Sequence, residues 1–357
     1  MWVSRNRNTA ENMPAEGSKS KPRRIALALQ GGGSHGAFTW GALDRLLEEP
    51  SIEIAGVCGT SAGAMNGTVL VHGLASGGRA RARELLQRFW RRVSESASEG
   101  LLRPSAFDKA LNPGNLDHSP VYWLYASLAR IASPYQLNPS NFHPLRPVLE
   151  ELVDFAALRR VGDDIKLFVC ATNVLSGRIK VFDRAGLSVD AVLASACLPG
   201  VFQAVEVAGE HYWDGGYMGN PPIYPLIYHV DTRDVLIIQI NPIAIEEVPK
   251  SAADIDDRVK TLSWNSSLMR EMRAIHFVTS LIDRGFDDGG RLKRMLIHVI
   301  DAEVELRAFR ASSKLNADWD WVCHLRDLGR AKADAFLAEH GDKIGRESST
   351  DIVAKFL

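Results

Sequence analysis

Twice in its first seventy residues the chain passes from an apolar strand pattern through a glycine-rich bend into a helical pattern. That repetition constrains its fold more than any other feature. Arg24-Ile25-Ala26-Leu27-Ala28-Leu29 leads into Gln30-Gly31-Gly32-Gly33-Ser34-His35-Gly36 and a helical pattern from Ala37 to Leu47. Ile52-Glu53-Ile54-Ala55-Gly56-Val57-Cys58 leads into Gly59-Thr60-Ser61-Ala62-Gly63 and a second helix over Ala64 to Leu70. Gly59 and Gly63, two before and two after Ser61, permit a cramped turn that lifts the serine hydroxyl clear of the sheet. The helix behind it offers backbone N–H groups to a developing oxyanion. Three consecutive glycines at Gly31, Gly32 and Gly33 leave their amides unshielded, so they can converge on an anion. Two readings of that loop stand: a phosphate loop, or an oxyanion hole for an acyl-transfer serine. Against the first, no Gly-Lys-Ser/Thr closes it, and Gly31, Gly33 and Gly36 match G-x-G-x-x-G only in part.

A third motif lies far downstream, where Tyr212-Trp213-Asp214-Gly215-Gly216 ends a short alternating segment from Val205. An aspartate before two glycines is by itself a plain turn. In this order, however, the three motifs resemble those of the patatin-like phospholipases, a family of serine acyl hydrolases. The family's G-G-G-x-[R/K]-G loop corresponds to Gly31–Gly36, its G-x-S-x-G elbow to Gly59–Gly63, and its D-G-[G/A] motif to Asp214–Gly216. Ala194-Ser195-Ala196-Cys197-Leu198-Pro199-Gly200-Val201-Phe202 is similar to the segment that precedes the family's aspartate. The resemblance runs from about Arg24 to Asn241, and on to about Lys314.

That resemblance implies a Ser–Asp dyad, Ser61 as nucleophile and Asp214 as base, with an acyl-enzyme intermediate. It implies an oxyanion hole from the amides of Gly31, Gly32, Gly33 and Ser34, Gly32 and Gly33 above all, with His35, Gly36, Gly215 and Gly216 supporting the motifs. A carboxylate with an ordinary pKa near 4 is a poor base for a hydroxyl, so the site must raise its basicity by desolvation. The rival arrangement is a histidine-containing triad drawing on His211, His229, His276 or His298. The chain departs from the family at His35, where Arg or Lys is usual. A histidine there predicts activity more sensitive to pH than the aspartate alone would give.

No cofactor is expected, and no metal: there is no D-x-D-x-D-G loop, and Asp254-Ile255-Asp256-Asp257 reads as a helix N-terminus. A net charge near −1 gives no hint of nucleic acid as a partner. Cys58, Cys170 and Cys197 lie in apolar runs and read as small buried hydrophobes. Residues 1–23 are polar and basic, without the apolar core of a secretory signal, and read as a disordered leader. No window holds the roughly 18 apolar residues that span a bilayer. The expected location is cytoplasmic, with peripheral contact at a membrane or lipid surface, and the expected partner is an acyl lipid substrate.

The rest of the chain alternates strands and helices, which predicts an α/β fold, a three-layer sandwich around a mostly parallel sheet. Asp234–Ile240 is apolar enough for the centre of such a sheet. Residues 101–147 break the pattern with Pro, Asn and Ser, and enclose one apolar helix, Val121–Ile131. This insertion reads either as a lid over an acyl-binding cleft or as an ordinary core helix between long loops. The catalytic domain is expected over 24–314 and a helical C-terminal extension over 315–357. Lipid acyl esters are the first substrate class this implies. A storage polyester or thioester, or a catalytically silent regulatory protein, are the alternatives.

Overall fold

The computed structural model describes residues 22–100, 103–111, 114–160, 162, 164–286 and 288–357. All but the last two residues of the expected leader lie outside the described residues. Eight strands form one sheet: β1 (Arg23–Leu29), β2 (Ile52–Thr60), β3 (Lys166–Asn173), β4 (Ile179–Asp183), β5 (Val205–Val207), β6 (Glu210–Asp214), β7 (Asp234–Gln239) and β8 (Leu296–Asp301). Their order is β5-β6-β3-β2-β1-β7-β8, with β4 also pairing β3. The run from β3 to β8 is parallel throughout, while β4, β5 and β6 add antiparallel pairs at one edge.

Period-two alternation sends the strand side chains into two cores. Ile25, Leu27 and Leu29 of β1, with Leu236 and Ile238 of β7, face one helical layer. Ala26, Ala28, Val235 and Ile237 face the other. The first layer holds helices Gly36–Leu46, Ala62–Glu99, Leu145–Leu152, Val189–Ser195 and Trp319–His340. Tyr224–His229, Ala252–Asp283 and Ile352–Phe356 make the second. The result is the expected three-layer α/β arrangement. Parallel connection also places the C-terminal ends of β1, β2 and β7 together, where an α/β sheet opens a crevice. Both glycine-rich bends leave the sheet at that edge.

The long C-terminal helix Trp319–His340 packs on Gly36–Leu46, and its Trp321, Val322, Leu325, Ala333 and Phe336 share the first core. The insertion carries a helix over Pro120–Ile131, capped by the Ser119 hydroxyl, which accepts from Tyr122 N–H. None of its residues is buried, and Trp123, Leu124 and Ile131 are 58, 61 and 83% exposed. The core-helix alternative is thereby removed. Cys58, Cys170 and Cys197 are buried free thiols. No helix of the described residues is long and apolar enough to cross a membrane.

Candidate active site

Ser61 stands at the bend between β2 and the helix that starts at Ala62, with φ 55° and ψ −123°. A non-glycine residue in that region costs on the order of 1–3 kcal/mol and persists only where its surroundings hold it. The holding contacts are visible. Ser61 N–H donates to Ser195 Oγ at 2.9 Å, and Ser195 Oγ donates to Cys170 O at 2.5 Å. On one side Thr60 Oγ1 donates to Gly219 O at 2.7 Å, and on the other Met65 N–H donates to Ser61 O at 3.1 Å. Gly59 ends β2 and Gly63 lies in the first turn of the helix.

Asp214 ends β6, which pairs with β3 through Ala171↔Asp214. β2 lies on the other side of β3, so the sheet itself brings the aspartate toward the serine. The carboxyl is fully buried. Its Oδ1 accepts from Gly216 N–H at 2.7 Å, in the turn Gly215–Tyr217, and Oδ2 has no hydrogen-bond partner among the described residues. Burial pushes the Asp214 pKa up to about 7, against the Gly216 amide and the Ser61 hydroxyl, which both favour the anion. The hydroxyl is thus near enough to stabilise the carboxylate, while Oδ2 still lacks an aligned hydrogen bond. Such contacts commonly align only when substrate is bound.

The glycine loop lies directly against the serine: a Cβ on Gly31 would sit 2.7 Å from Ser61 Cβ. Gly33 has φ +61°, and a Cβ there would lie 2.3 Å from the Lys314 carbonyl oxygen, so a side chain is excluded twice over. The amide of Gly31 is already engaged, donating to Asn220 Oδ1 at 2.7 Å, and so drops out of the expected set of free donors. The amides of Gly32 and Gly33 have no acceptor among the described residues. Ser34 spends its hydroxyl on Ser313 O at 2.8 Å, and Gly36 opens the following helix.

His35 does not do what its position led us to expect. Its ring is buried, bonded through Nε2 to Ser313 Oγ at 2.7 Å, and burial with nearby Lys314 lowers its pKa to about 3. Both effects favour the neutral ring. Of the triad candidates, none of His211, His229, His276 and His298 hydrogen-bonds to Ser61 or Asp214 among the described residues. His298 is bound to Asp234 Oδ1 and Ser349 Oγ; Asp234 begins β7, at the sheet edge opposite Ser61.

Beneath the loop lies a buried polar network that reading the sequence missed. Gln30 Oε1 accepts from the Ile240 and Asn241 amides at 2.9 and 3.0 Å, and its Nε2 donates to Asn220 O at 3.3 Å. Asn241 Nδ2 donates to Gly31 O at 2.7 Å. One signal was present: Gln30 and Asn241 are polar residues directly after apolar strands, where a buried amide needs a built partner.

A model of the patatin-like phospholipase family matches residues 27–227. Uncharacterized NTE family proteins of Mycobacterium tuberculosis and Mycobacterium bovis are 27% identical over 270 residues, 74% of this chain and 62% of theirs. The chain therefore spans less than two thirds of the length of those relatives. Among solved structures, VipD from Legionella pneumophila matches with TM-score 0.45 and 17% identity, over 89% of this chain and 67% of that one. ExoU in its complex with SpcU from Pseudomonas aeruginosa matches with TM-score 0.38 and 17% identity, over 90% and 52%.

Proposed function

This chain belongs to the patatin-like phospholipase family, and we propose that it is a serine carboxylic-ester hydrolase acting on acyl lipids through Ser61 and Asp214. The observation that carries the reading is the pairing of a strained, exactingly held serine with a buried carboxylate whose Oδ2 is unpartnered among the described residues. In the proposed reaction Oδ2 takes the proton of the Ser61 hydroxyl as Oγ attacks the ester carbonyl. The tetrahedral oxyanion faces the free amides of Gly32 and Gly33, each such donor being worth roughly 2.7–4 kcal/mol. Collapse returns the proton to the leaving alcohol and leaves Ser61 acylated. Asp214 then deprotonates the water that releases the fatty acid. A base with pKa about 7 suits this work at neutral pH far better than an ordinary aspartate.

Substrate must reach a serine that is 7% exposed. The insertion supports a lid in front of it. Tyr135 Oη of this segment accepts from Ala204 N–H, Gln203 Nε2 donates to Asn138 O, and His143 stacks on Phe202 at 4.1 Å. Those contacts tie the insertion to the chain just before β5 and β6, close to Asp214. Trp123, Leu124, Ile131 and Phe142 are turned outward, an apolar surface suited to resting on lipid while the cleft opens.

The test is release of fatty acid from phospholipid vesicles, triacylglycerol emulsions and soluble p-nitrophenyl esters. Wild type should hydrolyse at least one lipid class, and Ser61→Ala and Asp214→Asn should each lose on the order of a thousandfold or more. Undiminished hydrolysis by Ser61→Ala would end the proposal.

A further inference from the structure

Among the described residues, a cation beside the glycine loop is Lys314, which lies outside the span matched by the family model. Three contacts fix its place. Its backbone carbonyl packs on Gly33. Its Nζ donates to Asn241 Oδ1 at 3.1 Å, and the Nδ2 of the same amide donates to Gly31 O. The ammonium also lies 5.7 Å from the centre of the Trp264 ring, whose atoms come within 3.4 Å of the position a Cβ on Gly216 would take. The side chain thus stands between the loop that faces Ser61 and the turn that carries Asp214.

Its one hydrogen-bond partner among the described residues is a neutral amide rather than a carboxylate. Burial holds the Lys314 pKa below its ordinary value, with Asp257 opposing that and Lys260 adding to it. The residue is half-buried, and an ammonium has three N–H donors, so a partly desolvated cation with donors to spare gains from an anion.

Resting on the hydrolase reading above, we propose that Lys314 forms a subsite for an anionic phosphate group beside the scissile ester. Lys314 then sets how strongly an ester bearing such a phosphate is favoured over its neutral counterpart.

The test compares dihexanoyl phosphatidic acid with dihexanoylglycerol, both soluble, in wild type, Lys314→Gln and Lys314→Arg. Gln removes the charge on a slightly shorter side chain that still carries an N–H donor. The phosphate-to-neutral ratio of kcat/KM should fall roughly 10- to 100-fold in Lys314→Gln and largely recover in Lys314→Arg. An unchanged ratio overturns the assignment, whatever the absolute rates. Binding of phosphatidic acid to Ser61→Ala protein, followed by calorimetry, should weaken by a similar factor when Lys314→Gln is added. Inorganic phosphate binding as tightly as the lipid at Lys314 would make this a site for a free ion and overturn the substrate role. If wild type cleaves neither ester while the Lys314-dependent binding remains, the hydrolase reading fails and the subsite stands.

Discussion

Replacing Asp214 by Asn should stabilise the folded protein, and by an amount that grows with pH. The carboxyl titrates at about 7 in the fold against an ordinary value of 3.8, because burial disfavours its charge. For a raised pKa the favourable contribution is complete below the unfolded value and disappears as pH climbs through the folded one. Across that window the unfolded chain has released its proton while the folded one still holds it. Each pH unit therefore costs the native state about 1.4 kcal/mol, and the whole interval about 4 kcal/mol. Asparagine is isosteric, carries no charge, and keeps an oxygen for the Gly216 amide. Its advantage over wild type should be about 2–3 kcal/mol larger at pH 8 than at pH 5. Thermal unfolding of both proteins at the two pH values reads this as a Tm gap that widens by several degrees toward alkaline pH. A gap that stays constant or narrows would refute the claim that burial alone raises this carboxyl, and with it the account of how the base is made.

The same titration governs rate: kcat/KM should rise with pH through a single ascending limb near 7, with no second limb from His35, as a pH–rate profile on a soluble ester will show. Ser195→Ala removes both the acceptor for Ser61 N–H and the hydroxyl that donates to Cys170 O. It should cost about 1–3 kcal/mol of stability by thermal unfolding and lower kcat more than it raises KM. Deleting residues 120–132, none of which is buried, should raise activity on short soluble esters relative to long-chain lipid. Equal loss on both would refute the lid.

Much of this arrangement was legible because its causes are local. A strand that must turn within a few residues into a helix needs small residues, and Gly31 to Gly36 and Gly59 to Gly63 announce that requirement where it applies. The parallel sheet followed from apolar strands separated by helices. What stayed hidden depends on distant partners. Ser195 holds Ser61 from 134 residues away, and Asn220 engages the Gly31 amide from 189 residues away. Nothing in the local pattern around either tells which backbone it will meet. His35 misled for the same reason: its position in the loop is local, but its neutrality comes from burial against Ser313 and Lys314. The Pro120–Ile131 helix was read correctly as a helix, yet its apolar composition could not say whether it faced the core or the outside.

Intact-mass analysis after treatment with a fluorophosphonate tests the central claim most directly, because it asks whether this one hydroxyl is a nucleophile without assuming any lipid. The account predicts one equivalent of label, located at Ser61 by peptide mapping, absent in Ser61→Ala and greatly slowed in Asp214→Asn. Label on another residue, or labelling of Ser61 at an undiminished rate without the Asp214 carboxylate, would contradict it.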